Sequence, residues 1–494
     1  MMKRKILILG SGFSSLSAAS YLAQMGHDVE VFEKNHSLGG RARQLKRDGF
    51  TFDMGPSWYW MPDVFEKFFA DFGKKPSDYY KIDRLDPGYQ VYFGENNSIS
   101  IGDSLDKIYT AFEAVEKGSG KKLKSFINQA QNNYNIAITD LVYRPGISPL
   151  ELITTTTIKK IRYFFSNIKR DVTREFKNPK LRQILQFPVL FLGAKPQNTP
   201  AFYNFMNFAD FGLGTWHPDK GMYSIVEGMV SLAKELGVIF HTNSPVEHIL
   251  VNQGRASGIE TQGKTIEADF VLSGADYHHT ETLLPPKYRV YSENYWAKKT
   301  FAPSSLLFYV GLDKKLDRVT HHTLFFDVDF DRHAQQIYDN PEWPTDPLFY
   351  ANFPSITDPT MAPEGKEALF LLIPIAPGIE DNSELREKYF DIVMARMERL
   401  TQQEIKSHIL FQESFCVKDF ISEYNSYKGN AYGLANTLMQ TAFLRPKLKS
   451  KKVEGLFFSG QLTVPGPGVP PALISGKIVS GLIEEAIYSQ SPTK

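Results

Sequence analysis

Near the start of the chain an unbroken apolar run, Ile6-Leu7-Ile8-Leu9, meets Gly10-Ser11-Gly12, and that junction constrains everything after it. Four apolar residues in succession suit a parallel strand covered on both faces. Gly10 permits the sharp turn that follows, and Gly12 has no Cβ to hold the backbone away from a pyrophosphate. The spacing of Leu16, Ala19, Leu22 and Ala23 predicts a helix from about Phe13 to Met25, stopped by Gly26. Val29, Val31 and Phe32 then form a second strand that ends on Glu33, where a carboxylate can accept hydrogen bonds from ribose hydroxyls. Strand, turn, helix, strand and acid in this order predict a Rossmann-like dinucleotide site, with Ser15 in place of the customary third glycine. The free N–H groups of the helix start, from Gly10 through Ser11, Gly12, Phe13 and Ser14 to Ser15, are the expected phosphate cradle.

At 494 residues the chain exceeds one ordinary core, so two or three domains are expected. Lys and Arg number 56 against 55 Asp and Glu, a balance that gives no sign of nucleic-acid binding. The single cysteine, Cys416, excludes an internal disulfide and a cysteine-rich metal site and suggests a reducing compartment. His278-His279 and His321-His322 lack metal-ligand spacing and are expected at the surface or in loops. No apolar stretch approaches the ~18–20 residues of a spanning helix, and the expected location is cytoplasmic, soluble or peripheral to the cell membrane.

Further along, Leu38-Gly39-Gly40-Arg41 sets a guanidinium beside a glycine turn, where it can fork onto a pyrophosphate. Phe50-Thr51-Phe52-Asp53-Met54-Gly55-Pro56-Ser57 alternates toward a Gly-Pro turn. Leu105–Glu116 and Leu123–Val142 predict two long helices within an insertion reaching about Thr215. Ile158–Lys177 mixes seven Lys and Arg with Tyr163, Phe164, Phe165, Ile168 and Phe176. Such a basic amphipathic helix suits either an anionic bilayer surface or the packing of its apolar stripe on the core. Ser305–Leu312 and Ala368–Pro374 predict strands and Leu385–His408 a long helix, in a second insertion of mixed sheet under helices. With the first insertion it is expected to enclose a long apolar cavity.

The glycine turn, the acid, the Gly-Gly-Arg loop and the Asp-x-Gly-Pro strand end together resemble the amine-oxidase-like flavoproteins. That resemblance favours FAD over NAD, because nicotinamide dehydrogenases lack the Gly-Gly-Arg loop. It adds Lys34, Gly40, Arg41, Gly55, Pro56, Ser57 and Val246 to Glu33 as expected cofactor contacts, with Gly274 standing where the family has Asn. The strand ending at Gly460, the segment Pro465-Gly466-Pro467-Gly468-Val469, Ser475, and the upstream stretches Tyr427–Leu434 and Gln440–Pro446 resemble bacterial-type phytoene desaturases and related carotenoid desaturases. Gly460, Gly468 and Val469 are thereby implied at the flavin, while Gln461, Leu462 and Val464 depart from the family's usual residues.

The resemblance implies an α/β fold in which a Rossmann-like FAD-binding domain (1–95, 216–290 and 451–494) is interrupted by a substrate and membrane-facing domain (96–215 and 291–450). It implies an FAD-dependent phytoene desaturase carrying phytoene to neurosporene or lycopene, with a lipid-soluble carotenoid as substrate and oxygen or a quinone as candidate electron acceptor. The alternatives are a 3,4-desaturase of hydroxylated carotenoids, an isomerase or ketolase, an amine oxidase, and a non-catalytic carotenoid-binding flavoprotein. Asp140 and Arg144, before Pro145-Gly146, are candidates to stabilise charge near a polyene, set against an ordinary surface ion pair.

Overall fold

The computed structural model describes residues 3–139, 141–152 and 166–489. Its first layer is a five-stranded parallel sheet in the order Leu456–Phe458, Phe270–Ser273, Lys5–Leu9, Asp28–Phe32, Ile239–His241. Because successive strand residues point to opposite faces, the central strand divides its apolar run between two cores. Ile6 and Ile8 pack under Ala18, Ala19 and Leu22 of the Phe13–Gln24 helix. Leu7 and Leu9 face Ile249 and Ile259 of an antiparallel meander, Val246–Asn252, Arg255–Thr261 and Lys264–Glu267. The meander turns at Gln253-Gly254 and Gln262-Gly263, all four with positive φ as hairpin turns require.

The final helix, Val469–Ser489, returns to lie against Phe13–Gln24. Their approach depends on Gly476, where an added Cβ would stand 2.5 Å from the Ser14 carbonyl oxygen. The third-glycine position is solved reciprocally. Ser15 occupies it, and the room comes from Gly274 on the facing chain, whose hypothetical Cβ would fall 2.0 Å from Ser15 Oγ. The residue that departs from the glycine pattern and the residue that departs from the family's Asn are thus one packing solution.

The second layer is a seven-stranded mixed sheet in the order Ile409–Phe415, Ser304–Leu312, Glu367–Ile375, Phe349–Asn352, His322–Phe325, Tyr89–Gly94, Asn97–Ile101. Only the pairing of His322–Phe325 with Tyr89–Gly94 is parallel. The hairpin Tyr89–Ile101 therefore joins this sheet as a whole, and an expected boundary at 95 would cut it. One face of the sheet buries Leu306, Phe308, Val310, Leu369 and Leu371 under Phe390, Val393, Met394 and Met397 of the Ser383–Thr401 helix. The other face looks toward the helical insertion, chiefly Leu105–Val115, Ser119–Thr139, Pro179–Gln186 and Phe205–Phe211.

Residues 158–165 of the expected basic membrane helix lie outside the described residues, as does Asp140. Its remainder forms the helix Ile168–Glu175, with Ile168, Val172 and the following Phe176 buried. Phe176 meets Phe112 and Phe126 edge-on, both with centroids 6.2 Å away. That part of the apolar stripe faces the core and is closed to lipid. Among the described residues no helix is long and apolar enough to cross a membrane.

Candidate active site

A cavity of about 840 Å³ runs between the two layers. At one end it is walled by the turn after the first strand. Gly10 has φ +82°, and a Cβ there would meet the backbone of Ala275 at 3.4 Å. Gly12 faces the opposite way: an added Cβ would find nothing within 4 Å, so the space above it is open. Gly12 precedes the Phe13–Gln24 helix and no side chain caps that terminus, which leaves its first N–H groups facing the opening. Gly40, also with positive φ, packs on the Gly12 Cα, where its own Cβ would stand at 3.3 Å. Backbone has been brought close on two sides of a space fit for a pyrophosphate.

The acid at the end of the second strand is set by the turn itself. Glu33 Oε2 accepts from Ser11 N–H at 3.0 Å and Ser11 Oγ at 2.7 Å, and Oε1 accepts from Asn35 N–H at 3.0 Å. Glu33 is buried yet lines the cavity, as do Lys34 and Asn35. Arg41 also lines it. Its Nη2 donates to Ser426 Oγ at 2.9 Å, while its Nε is buried without a partner. Burial lowers the pKa of this guanidinium, and the nearby Asp276 carboxylate opposes that shift. An unpaired buried donor beside an open glycine cradle is what an anionic cofactor would satisfy.

Of the cofactor contacts expected from sequence, Gly10, Ser11, Gly12, Phe13, Ser14, Glu33, Lys34, Gly40, Arg41, Gly55, Pro56, Ser57, Val246, Gly460, Gly468 and Val469 all line this cavity. Ser15 does not. It is turned onto Gly274, and its role is to set the distance between helix and strand. Asp53 acts on another element: its carboxylate accepts from Met222 N–H at 2.7 Å and Tyr223 N–H at 3.2 Å, capping the Tyr223–Glu235 helix. Burial pushes its carboxyl up to about 6. Arg144 lines the cavity and donates to the Glu151 carbonyl.

Beyond the glycine cradle the wall becomes apolar. Leu307, Leu324 and Leu372 come from the seven-stranded sheet, and Ile138, Phe187 and Phe205 from the helical insertion. The expected long apolar cavity is therefore continuous with the cofactor end. The cavity reaches solvent beside Leu438 and Met439, which line it while 45% and 71% exposed.

Sequence reasoning missed two features, one behind this wall and one within it. His321 and His322, expected at the surface, are buried, because Trp58, far away in sequence, stacks on His322 with ring centroids 4.0 Å apart. His333 and Tyr350 belong to the lining without any local motif. Among the described residues no group of three or more His, Cys, Asp or Glu side chains is arranged to hold a metal.

The family model for flavin containing amine oxidoreductases matches residues 13–483. The carotenoid 3,4-desaturase of Haloarcula japonica is 42% identical over 490 residues, covering 97% of this chain and 98% of that protein. The zeta-carotene-forming phytoene desaturase of Myxococcus xanthus is 34% identical, covering 97% and 93%. The chain belongs to the flavin containing amine oxidoreductases, among the carotenoid desaturases. Solved structures agree in fold. An oxidoreductase from Methanosarcina mazei aligns with TM-score 0.64 at 17% identity over 97% of this chain and all of that one. Putrescine oxidase bound to putrescine aligns with TM-score 0.62 at 14% identity, covering 98% and 99%. This flavoenzyme is an FAD-dependent oxidoreductase.

Proposed function

We propose that the protein desaturates a linear carotenoid, with FAD held at the glycine end of the cavity and the polyene lying along its apolar arm. The observation that carries this reading is continuity: one space of about 840 Å³ joins Gly12 and Val469 to Leu307, Leu324, Phe187 and Phe205. A substrate without polar groups needs a dry slot and orientation more than hydrogen bonds. FAD supplies the two-electron acceptor, and the chain supplies the slot.

The finer reading is 3,4-desaturation of a carotenoid that already carries a conjugated chain, supported by the 42% identity to the Haloarcula japonica enzyme. The second reading, phytoene carried to neurosporene or lycopene, is supported by the 34% identity to the Myxococcus xanthus enzyme. Pigment chromatography separates them when the chain is expressed in two hosts, one accumulating lycopene and one accumulating phytoene. A product with a longer chromophore than lycopene supports 3,4-desaturation; consumption of phytoene supports the second reading. Unchanged pigments in both hosts, with yellow flavoprotein in hand, overturn both.

The cavity mouth is proposed to meet a lipid surface. Ile147 and Leu150 are 65% and 70% exposed on a segment whose Gly146, Ser148 and Glu151 line the same cavity as Leu438 and Met439, and Lys447 Nζ donates to the Gly146 carbonyl at 2.6 Å. Exposed apolar residues clustered at an entrance suit a substrate that arrives from a bilayer.

A further inference from the structure

Two polar residues, Ser305 and Tyr350, interrupt the apolar wall that the seven-stranded sheet gives to the cavity. Tyr350, on the Phe349–Asn352 strand, lines the cavity, and its Oη lies 2.9 Å from Ser57 Oγ and 2.6 Å from His322 Nδ1. Ser57 directly follows Gly55-Pro56 and lines the same space. His322 stands on the neighbouring strand, fully buried and stacked on Trp58 with 10° between the ring planes.

The hydrogen bonds assign the tautomer. Asn352 Nδ2 reaches His322 Nδ1 at 3.3 Å and the His321 carbonyl at 3.0 Å. An amide NH2 only donates, so Nδ1 must be the lone-pair nitrogen; the phenol O–H then points at it as well, and the imidazole proton sits on Nε2. That Nε2 is buried with no partner. A tyrosine and histidine kept only to join two strands have no reason to leave it so. Burial first, then the neighbouring His217, holds His322 well below the ordinary histidine pKa and therefore neutral. The other titratable groups nearby are His321, whose ring centroid lies 4.5 Å from that of His217, and Asp358, whose Oδ2 lies 3.2 Å from His217 Nε2.

Desaturation removes two hydrogens from adjacent carbons, one as hydride and one as a proton, and the chemistry of the flavin accounts only for the first. A cation spread along a polyene is a strong acid, so a weakly basic acceptor suffices if it is neutral and dry. We propose that Tyr350 and His322 form the proton exit of the reaction, an inference that rests on the desaturase reading above. With FAD bound, the oxidised flavin would take one hydrogen as hydride, with its electron pair. The proton on the adjacent carbon passes to Tyr350 Oη as the tyrosine's own proton moves to His322 Nδ1, and the pair left by that C–H bond becomes the second bond of the new C=C. Tyr350 is the residue that would touch the substrate, since it lines the cavity. His322 acts through it and returns the proton to water after product leaves.

The test is anaerobic bleaching of the flavin by carotenoid in wild type, Tyr350→Phe and His322→Gln, in H2O and D2O, with carotenoid binding measured in parallel. In Tyr350→Phe, bleaching is expected to slow by about 100-fold or more, the usual span for a lost general base. Carotenoid affinity is expected within about twofold of wild type, and the solvent isotope effect of wild type is expected to disappear. Bleaching at the wild-type rate, an isotope effect that survives in both variants, or affinity lost in step with rate overturns the proposal. A readout independent of catalysis is 15N NMR of histidine-labelled, flavin-free protein, in which His322 Nδ1 is expected bare; a proton on Nδ1 overturns the proposal whether or not the variants fold. If no carotenoid bleaches wild type while Nδ1 is bare, the desaturase reading has failed and takes the proton exit with it.

Discussion

Replacing Gly274 by Ala puts a methyl group where the first helix already sits. The added Cβ would stand 2.0 Å from Ser15 Oγ and 3.3 Å from both Ser14 Oγ and Ser15 Cβ. Carbon and oxygen in contact need more than 3 Å, so helix and strand must part by about an ångström, an overpacking cost of roughly 1–3 kcal/mol. The clash is almost entirely with one atom. Ser15→Gly removes that atom, and alone it costs about 0.5–1 kcal/mol for the freed helix backbone. The double variant Ser15→Gly with Gly274→Ala is therefore expected to be no less stable than Ser15→Gly, a coupling that offsets most of the overpacking cost. Urea unfolding of wild type, both single variants and the double variant, read as midpoints at constant slope, measures the cycle. Gly274→Ala as stable as wild type, or a double variant whose loss is the sum of the singles, would refute the reciprocal packing.

Gly12→Val keeps an ordinary backbone, since Gly12 has φ −70° and ψ 173°, but fills the open space in front of the helix. Loss of about two charge-assisted bonds to the pyrophosphate predicts FAD binding weakened on the order of 100-fold or more with unchanged folding, measured by flavin fluorescence titration. His333 is buried with Nε2–H donating to the Pro374 carbonyl at 2.8 Å and Nδ1 accepting from Leu348 N–H at 3.0 Å, and burial depresses its pKa to about 4. The unfolded chain binds a proton near pH 6.5 that the folded one refuses, so stability is intact above that pH and falls toward pH 4 by up to about 3 kcal/mol. His333→Gln should flatten that slope in urea melts; an unchanged slope would count against a neutral buried His333. Leu150→Glu combined with Met439→Glu should lower co-sedimentation with anionic lipid vesicles at least about tenfold, as each loses apolar area worth about 1.5–3 kcal/mol. Binding equal to wild type would move the lipid-facing surface elsewhere.

The glycine turn and the strand-helix-strand unit around it were legible because their determinants are local. Gly10 must turn, Gly12 must be bare and Glu33 must end the neighbouring strand, and each requirement lies within one strand-helix-strand unit. Strands such as Ser304–Leu312 and the helix Ser383–Thr401 were readable from apolar pattern alone. The partners were not. Nothing near Tyr89 says that its hairpin will pair in parallel with His322–Phe325, and nothing near His321-His322 says that Trp58 will cover it. A polar pair in sequence reads as surface unless its distant cover is known. Asp53 sat in a motif that pointed to the cofactor, yet its carboxylate is spent on a helix terminus supplied by residues near 222. Phe176 misled for the same reason: an apolar stripe looks alike whether a bilayer or Phe112 and Phe126 will meet it.

The five-stranded sheet also sets the order in which the two sides of the glycine cradle are made. Its central strand, Lys5–Leu9, is synthesised long before the strand Leu456–Phe458 and the helix Val469–Ser489 that complete the same layer. At a synthesis rate of ~5–20 residues per second, the first half of the cradle waits on the order of tens of seconds for the second. During that interval the Phe13–Gln24 helix lacks its partner at Gly476. Neither end of the cradle is sufficient alone: removing Val469–Ser489 would take away the surface that Phe13–Gln24 packs on, and with it one wall of the cavity at its glycine end.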